Sequence, residues 1–296
     1  MIDIKFYEDI NEYVNALGLP PMKCEEFYIV KFEPEYVIKN TSFSYRHDYF
    51  EISFAIGYDA TVTVGKNILN PLNLNLSFVS PGQITTWNVQ DVDPDSISFM
   101  VLFRPDFLLF AEDTLNIYRN FPYFNHFTSP GYSLDKRRQD LFIELFQKMH
   151  AEYNTVTKDA LEVMRAYLTI FLFKAKKELE FTEETNFTRD RSQEIAFSFE
   201  NLVIDTKHKR QPIEYYAQKM NISAIYLAEC VKKVTSKTAK QVIDQYLIME
   251  SKSLLKQSNN SIAEIAYALG FEDASYFVKY FKRYTGLTPK QFKLAH

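Results

Sequence analysis

The chain has 296 residues, 46% of them hydrophobic and 24% charged, which is ordinary for a globular protein of two domains or one large one. Its many aromatic residues, 26 Phe and 20 Tyr, argue against long disordered regions. Cys24 and Cys230 lie far apart with no CxxC or Cys/His spacing, which argues against a disulfide framework and a structural zinc site.

The net charge of −4 is unevenly distributed. Residues 1–190 carry 18 Lys and Arg against 28 Asp and Glu, a net charge of −10, whereas residues 191–296 carry 16 against 10, a net charge of +6. A basic C-terminal third is typical of a nucleic-acid-binding module joined to another domain. A solvated surface gives a similar imbalance, so this interpretation needs a motif.

The N-terminal region has the pattern of a β-domain. Short β-branched or aromatic runs are separated by Gly57-Tyr58-Asp59, Gly65-Lys66-Asn67 and Ser80-Pro81-Gly82, and the predicted strands are Phe27–Val30, Tyr49–Ile56, Thr61–Val64, Leu72–Val79 and Ile97–Phe103. This spacing predicts an antiparallel sandwich or barrel.

Two amphipathic helices are predicted next, with Ser133 and Thr157 as their N-caps. Their apolar residues recur every three to four positions, and these are Leu134, Leu141, Phe142, Leu145, Phe146 and Met149 in the first helix and Leu161, Met164, Leu168, Phe171, Leu172, Ala175 and Leu179 in the second. The stripes indicate a core, with a dimer seam as the alternative. The polar stretch that follows predicts a linker.

Beyond Arg191 the pattern is helical and contains a degenerate repeat: residues 213–222 match residues 262–271, and residues 227–236 match residues 277–286. Each copy has a small residue where two helices would cross, a residue that tolerates left-handed backbone at a turn, and a capping residue, namely Ala217, Asn221 and Ser223 in the first copy and Ala266, Gly270 and Asp273 in the second. In the helices that follow, the inward-facing residues are Leu227, Val231, Phe277 and Phe281. The repeat therefore predicts two helix-turn-helix units.

A helix over Thr238–Leu255, with Val242, Ile243, Tyr246, Leu247 and Leu254 as its apolar positions, would hold the two units at a fixed separation. Two recognition helices on such a strut can enter successive major grooves about 34 Å apart. The alternative is an all-helical interaction bundle.

The stretch Ser261–Pro289 resembles the signature of the AraC/XylS family of bacterial transcription regulators. By analogy the recognition helices present Ile225, Tyr226, Ala228 and Glu229, and Ala274, Ser275, Val278 and Lys279, to the bases. The basic residues that end each copy would lie along the phosphate backbone, and these are Lys232, Lys233, Lys282 and Arg283. The chain departs from the family where Ala228 and Glu229 replace the usual Arg or Gln, and where Leu247 replaces an Arg.

The N-terminal region is similar to the cupin-like sensor domains that accompany this module, with His47–Ile52 in one strand and Ser80–Gln83 before another. Metal-binding cupins use two His and a Glu near the first motif and a His after the second. Here Tyr45 stands at the first His position and Thr85 or Thr86 at the last. His47 and Glu51 alone do not complete a metal site, so we expect none.

Candidate effector-binding residues are His47, Glu51 and Trp87. The competing interpretation makes His47 a hydrogen-bonded strand histidine and Trp87 a core residue.

Together these patterns predict a multidomain protein with an N-terminal all-β cupin-like barrel plus helices and a C-terminal all-α domain with two helix-turn-helix units. The expected domains are a sensor (1–130), a helical dimerisation segment (131–182), a linker (183–191) and a double helix-turn-helix DNA-binding domain (192–296).

The predicted function is sequence-specific regulation of transcription in the cytoplasm, without enzymatic activity, cofactor or membrane contact. The expected partners are double-stranded DNA and a second copy of the chain, with a small-molecule effector and RNA polymerase as further candidates. One alternative is a cupin-type small-molecule-binding protein or enzyme with an accessory helical domain. Another is a protein–protein adaptor.

Overall fold

A computed structural model describes residues 4–33, 41–65, 67–69, 75–108, 117–124, 129–155, 157, 159–179, 191–206, 210–235, 237–257 and 260–295. The described residues up to 179 belong to one unit and those from 191 onward to another. The predicted linker lies outside the described residues, apart from Arg191, which begins a helix.

The N-terminal unit is built around an eight-stranded sheet of order β1-β3-β7-β4-β6-β8, with β2 also paired to β7 and β5 to β4. The strands are β1 (Lys5–Tyr7), β2 (Phe27–Lys31), β3 (Thr41–His47), β4 (Phe50–Val64), β5 (Asn67–Leu69), β6 (Leu76–Val79), β7 (Ile84–Phe103) and β8 (Gly131–Tyr132). The pairings are antiparallel as predicted, except that β1 lies parallel to β3.

Two of the predicted boundaries in this sheet are wrong. The expected turn at Gly57-Tyr58-Asp59 is an irregularity inside β4, which stays paired to β7 on both sides of it. Gly57 has a φ of 78°, and a Cβ there would lie 3.0 Å from the Cβ of Asp93, so the strand bends where β7 approaches closely. The segment His47–Ile52 is also not one strand, because β3 ends at His47 and β4 begins at Phe50.

Four helices accompany the sheet, namely α1 (Ile10–Ala16), α2 (Ile117–Asn120), α3 (Lys136–Thr155) and α4 (Ala160–Glu178), with 3₁₀ turns at Pro105–Leu108 and Pro122–Phe124. Asp135 directly precedes α3 and accepts a hydrogen bond from its first turn (2.8 Å from the Arg138 nitrogen), so the helix begins two residues later than the predicted cap Ser133 would place it. The second predicted cap is also displaced, because α4 begins at Ala160 and Thr157 contributes only its carbonyl.

The apolar stripes of α3 and α4 form a core, as the first interpretation of them predicted. Phe146 stacks on Phe99 of β7 with ring centroids 5.2 Å apart, and Phe142 packs on Phe171 at 5.0 Å. Leu161 differs from the prediction, because it remains 38% exposed.

The C-terminal unit is all-helical in its described part, with α5 (Arg191–Asp205), α6 (Ile213–Lys219), α7 (Ala224–Thr235), α8 (Ala239–Gln257), α9 (Ile262–Ala268), α10 (Ala274–Thr285) and α11 (Pro289–Ala295). It has two apolar cores. The first contains Val242 and Ile243 from the N-terminal half of α8, and the second contains Leu247, Ile248 and Leu255 from its C-terminal half. None of the described helices is both long enough and apolar enough to cross a membrane.

Candidate nucleic-acid interface

Two helix pairs, α6–α7 and α9–α10, turn their chains with the same hydrogen bonds. The Ile222 nitrogen donates to the Ala217 carbonyl at 3.0 Å, and the Phe271 nitrogen donates to the Ala266 carbonyl at the same distance. This bond, from the third residue after a helix to a carbonyl in its last turn, defines a Schellman motif, which requires left-handed backbone at the residue just before the donor.

The predicted turn residues supply that backbone. Asn221 has a φ of 53° and Gly270 a φ of 79°, and Asn221 is the one residue other than glycine with positive φ in the described part of the chain. The predicted crossing residues, Ala217 and Ala266, are both buried.

Side-chain caps begin the second helix of each pair, as predicted. Ser223 Oγ accepts from the Tyr226 nitrogen at 3.2 Å, and Asp273 Oδ1 accepts from the Ser275 nitrogen at 2.8 Å. Each cap satisfies one of the amide groups that the first turn of a helix leaves without a partner. The turn and the cap together fix the direction in which α7 and α10 leave the corner.

The helices α7 and α10 have the same sequence of buried, half-buried and exposed positions over residues 224–233 and 274–283. Their predicted inner faces, formed by Leu227, Val231, Phe277 and Phe281, are fully buried. The predicted DNA-contacting residues fall on the other face, where Ile225, Tyr226, Glu229, Lys232, Lys233, Ser275, Lys279, Lys282 and Arg283 are exposed and Ala228, Ala274 and Val278 half-buried.

One exposed side chain of α10 was not among the residues that the family resemblance predicted to contact DNA. Tyr276 is 46% exposed and stands 50 residues after Tyr226, which is 37% exposed in α7. Applying the repeat offset to Tyr226 would have identified it. The guanidinium carbon of Arg210 lies 5.7 Å from the centroid of the Tyr276 ring, so a positive charge lies beside this aromatic side chain.

A buried carboxylate joins α8 to α10, and the sequence did not reveal it. Asp244 on α8 is 2% exposed, and its Oδ1 accepts from the Tyr280 hydroxyl at 2.9 Å. Its Oδ2 accepts from the Tyr284 hydroxyl and from Lys240 Nζ, the latter at 3.1 Å. Burial, with the neighbouring carboxylate, raises the pKa of Tyr280, so this phenol stays a neutral donor. The network fixes the orientation of α10 on α8.

The candidate effector residues come together in the N-terminal unit through Tyr45. His47 Nε2 lies 3.1 Å from Glu51 Oε2, the Tyr45 hydroxyl donates to the same Oε2 at 2.8 Å, and Trp87 Nε1 donates to the Tyr45 oxygen at 3.2 Å. His47 is thus a hydrogen-bonded strand histidine, while Trp87 is half-buried and packs against a small core cluster.

In the described part of the chain, no three His, Cys, Asp or Glu side chains lie close enough together to hold a metal ion. The Tyr45 hydroxyl donates directly to the Glu51 carboxylate, at 3.0 Å to Oε1 and 2.8 Å to Oε2.

Residues 216–295 match a protein family described as "Helix-turn-helix domain". This range contains both helix pairs except for the first residues of α6.

Curated relatives match this chain over segments of similar length. A "Msm operon regulatory protein" from Streptococcus mutans is 39% identical over 77 residues, which are 26% of this chain and 28% of that protein. An "Uncharacterized HTH-type transcriptional regulator in cgkA 5'region" from Pseudoalteromonas carrageenovora is 37% identical over 81 residues, 27% of this chain and 48% of that protein. The matched segments therefore span about a quarter to a half of these relatives.

Among solved structures, the C-terminal domain of the two-component response regulator yesN from Fusobacterium nucleatum aligns at 28% identity, with a TM-score of 0.31, over 32% of this chain and 93% of that one. The family match covers the turns, caps and exposed faces described above. The C-terminal region of this chain is therefore similar to a helix-turn-helix domain, and the relatives that resemble it include transcription regulators.

Proposed function

We propose that this chain is a sequence-specific DNA-binding transcription regulator that reads DNA with two helix-turn-helix units, α6–α7 and α9–α10. The observation that carries the proposal is the repeated geometry, with the same Schellman turn at Asn221 and Gly270 and the same exposure pattern along α7 and α10. A packing repeat alone would not require both outer faces to stay exposed.

In this proposal α7 and α10 are the recognition helices. Their base-facing residues are Ile225, Tyr226, Ala228 and Glu229 in α7, and Ala274, Ser275, Tyr276, Val278 and Lys279 in α10. The basic residues of their last turns, Lys232, Lys233, Lys282 and Arg283, would contact phosphates. Ala274 and Val278 suit thymine methyl groups, and the hydroxyl of Ser275 can bond to several bases.

The helix α8 sets the separation of the two units. Its 19 residues give an axis of about 28 Å, close to one helical turn of B-DNA. The two halves of α8 lie in different cores, so each unit is attached to its own part of one rigid element.

The N-terminal unit would act as the regulatory part, with residues 1–130 as a cupin-like sensor and 131–182 as a dimerisation segment. Residues 183–191 would be the linker to the DNA reader, residues 192–296. On α4, Ile170 and Phe173 are 45% and 49% exposed, which supports a contact with a second copy. A small-molecule effector would change how the sensors pair or release the reader. RNA polymerase remains a candidate partner.

The test is an electrophoretic shift with the full chain, comparing genomic fragments selected by the protein with random fragments of the same length. We expect a preference on the order of 1,000-fold and a steep loss of affinity between roughly 50 and 200 mM salt. Equal affinity for both kinds of fragment at the higher salt concentration would contradict sequence-specific regulation.

A further inference from the structure

The N-terminal unit contains a cavity of about 100 Å³ with Glu51 in its wall. Much of its wall is apolar, formed by side chains such as Leu17, Phe43, Val89 and Met100, and Trp87 is part of it. A dry cavity of roughly 150 Å³ can hold a benzene molecule, so this smaller cavity has space for an apolar body of only a few heavy atoms.

Glu51 is the one acidic group among the described residues that line the cavity, and these include no Lys or Arg. The Glu51 side chain is 1% exposed. Its oxygens accept from the Tyr45 hydroxyl at 2.8 and 3.0 Å and from Ser53 Oγ at 2.8 Å. These donors orient the carboxylate but bring no positive charge, and a buried carboxylate without a countercharge is costly.

The remaining partner of Glu51 is His47, whose Nε2 lies 3.1 Å from Glu51 Oε2. His47 is itself completely buried, and its Nδ1 has no hydrogen-bond partner. Burial raises the pKa of Tyr13 and Tyr45 well above the usual range, so both phenols remain neutral. Among the described residues, His47 is therefore the one group in contact with Glu51 that can carry a positive charge, and it is absent from the cavity wall.

The surroundings also favour a cation. The rings of Tyr13, Tyr45, Tyr58 and Trp87 line the cavity, and aromatic faces attract ammonium groups. Ser53, Tyr58 and Trp87 also line a groove of about 600 Å³, which is bordered by the carboxylates of Asp59, Asp91 and Asp93. Such a groove concentrates cations near its wall.

We propose that this cavity binds a small organic amine, with its ammonium group at Glu51 and its apolar body among Phe43, Val89 and Met100. The binding does not depend on DNA, and only its regulatory consequence rests on the proposed function. The site combines one buried negative charge with an aromatic and aliphatic wall. This charge repels anions, and a neutral analogue of the amine cannot form an ion pair with it.

Trp87 is the single tryptophan of the chain, so its fluorescence reports directly on the cavity. The full chain is titrated with propylamine, propanol and propionate, which share a three-carbon chain and differ in charge. We expect a saturable change with propylamine, affinity at least tenfold weaker for propanol, and no response to propionate. Equal responses to all three compounds, or none to propylamine, would overturn the proposal.

Two variants separate charge from shape. Glu51→Gln keeps the side-chain volume and should weaken propylamine binding at least tenfold, whereas the acid-to-amide control Asp93→Asn in the outer groove should change it less than threefold. If Glu51→Gln fails to fold, Val89→Phe fills the cavity without removing the carboxylate and should also abolish the signal. Undiminished binding in the folded variants would contradict the site. These titrations contain no DNA, so their failure is separate from that of the DNA-binding proposal.

Discussion

The two helix pairs of the C-terminal unit share a backbone geometry but differ in their local support. The second pair begins with a capping box, in which Ser261 and Glu264 bond to each other's backbone nitrogens, and it turns at Gly270. The first pair begins at Pro212 without a side-chain cap and turns at Asn221, where a side chain must tolerate left-handed backbone. Fewer local interactions therefore stabilise the first pair.

The buried carboxyl groups beside the two helix pairs also differ in their hydrogen-bond partners. Asp244, beside the second pair, has three donors, whereas Glu200 on α5 lies next to the first core with an Oε2 that has no hydrogen-bond partner. Burial raises the pKa of Glu200 to about 7, so near neutral pH the first unit contains a carboxyl group close to ionisation. The comparison indicates a firmly held second unit and a first unit whose stability depends on conditions.

The largest effect is expected from removing the acceptor under α10. Asp244→Ala leaves the buried Tyr280 hydroxyl only its long 3.4 Å contact with the backbone carbonyl of residue 244, and should lower the free energy of unfolding by about 3 kcal/mol. Urea denaturation measures this, with the exposed Glu272→Ala as a control expected to change it by less than about 0.5 kcal/mol. A loss for Asp244→Ala as small as that of the control would show that the network does not hold α10.

The second prediction concerns Glu200 and pH. Because its pKa is raised from 4.5 to about 7 in the folded state, its contribution to stability is fully present below pH 4.5 and is lost as the pH rises through about 7. The loss amounts to about 3 kcal/mol at most. Glu200→Gln should therefore be more stable than the parent at pH 8 and gain little at pH 4.5.

Denaturation of both proteins across this pH range tests the Glu200 prediction. Parallel curves for parent and variant, with a constant difference from pH 4.5 to pH 8, would show that Glu200 ionises normally.

The third prediction compares the basic ends of the two units on DNA. Lys279→Ala combined with Lys282→Ala removes two exposed cations from α10 and should weaken binding roughly 30-fold, about 2 kcal/mol. Lys232→Ala combined with Lys233→Ala should cost less, because Glu229 already reduces the positive charge of α7. Fluorescence anisotropy at fixed salt measures both. A larger loss from the α7 pair would contradict the prediction that the lysines of α10 contribute more to DNA binding than those of α7.

The smallest effect is expected at Glu229. This exposed carboxylate stands where α10 has Lys279, so it repels phosphates. Glu229→Gln should tighten binding to random DNA about threefold, roughly 0.6 kcal/mol, and lower discrimination at the base it contacts. If Glu229 instead accepts from a cytosine, the variant binds its selected site more weakly while its binding to random DNA still improves.

The sequence predicted the features of the C-terminal unit that depend on local chemistry. Left-handed backbone at Asn221 and Gly270, capping by Ser223 and Asp273, and the inner faces of α7 and α10 all follow from residue type and spacing. Each signal lies within about one helical turn of the feature it specifies.

Features that depend on distant parts of the chain could not be predicted in this way. Asp244 and Tyr280 are 36 residues apart, and nothing near either one in sequence indicates the other. The segment Gly57-Tyr58-Asp59 has the composition of a turn. It is a bulge inside a strand because β7 approaches closely at Gly57. In the same way, the sequence offered His47, Glu51 and Trp87 as separate candidates. The pairing of their strands brings them together, with Tyr45 bonded to both Glu51 and Trp87.

The central claim is that two recognition helices, held by α8, read one DNA duplex together. Selection of bound sequences from a random DNA library by the full chain tests it directly. We predict an enriched motif of two short blocks whose centres lie about one helical turn, roughly 10 base pairs, apart, with affinity lost when about five base pairs are inserted between them. A single enriched block, or two blocks that tolerate the insertion, would contradict it.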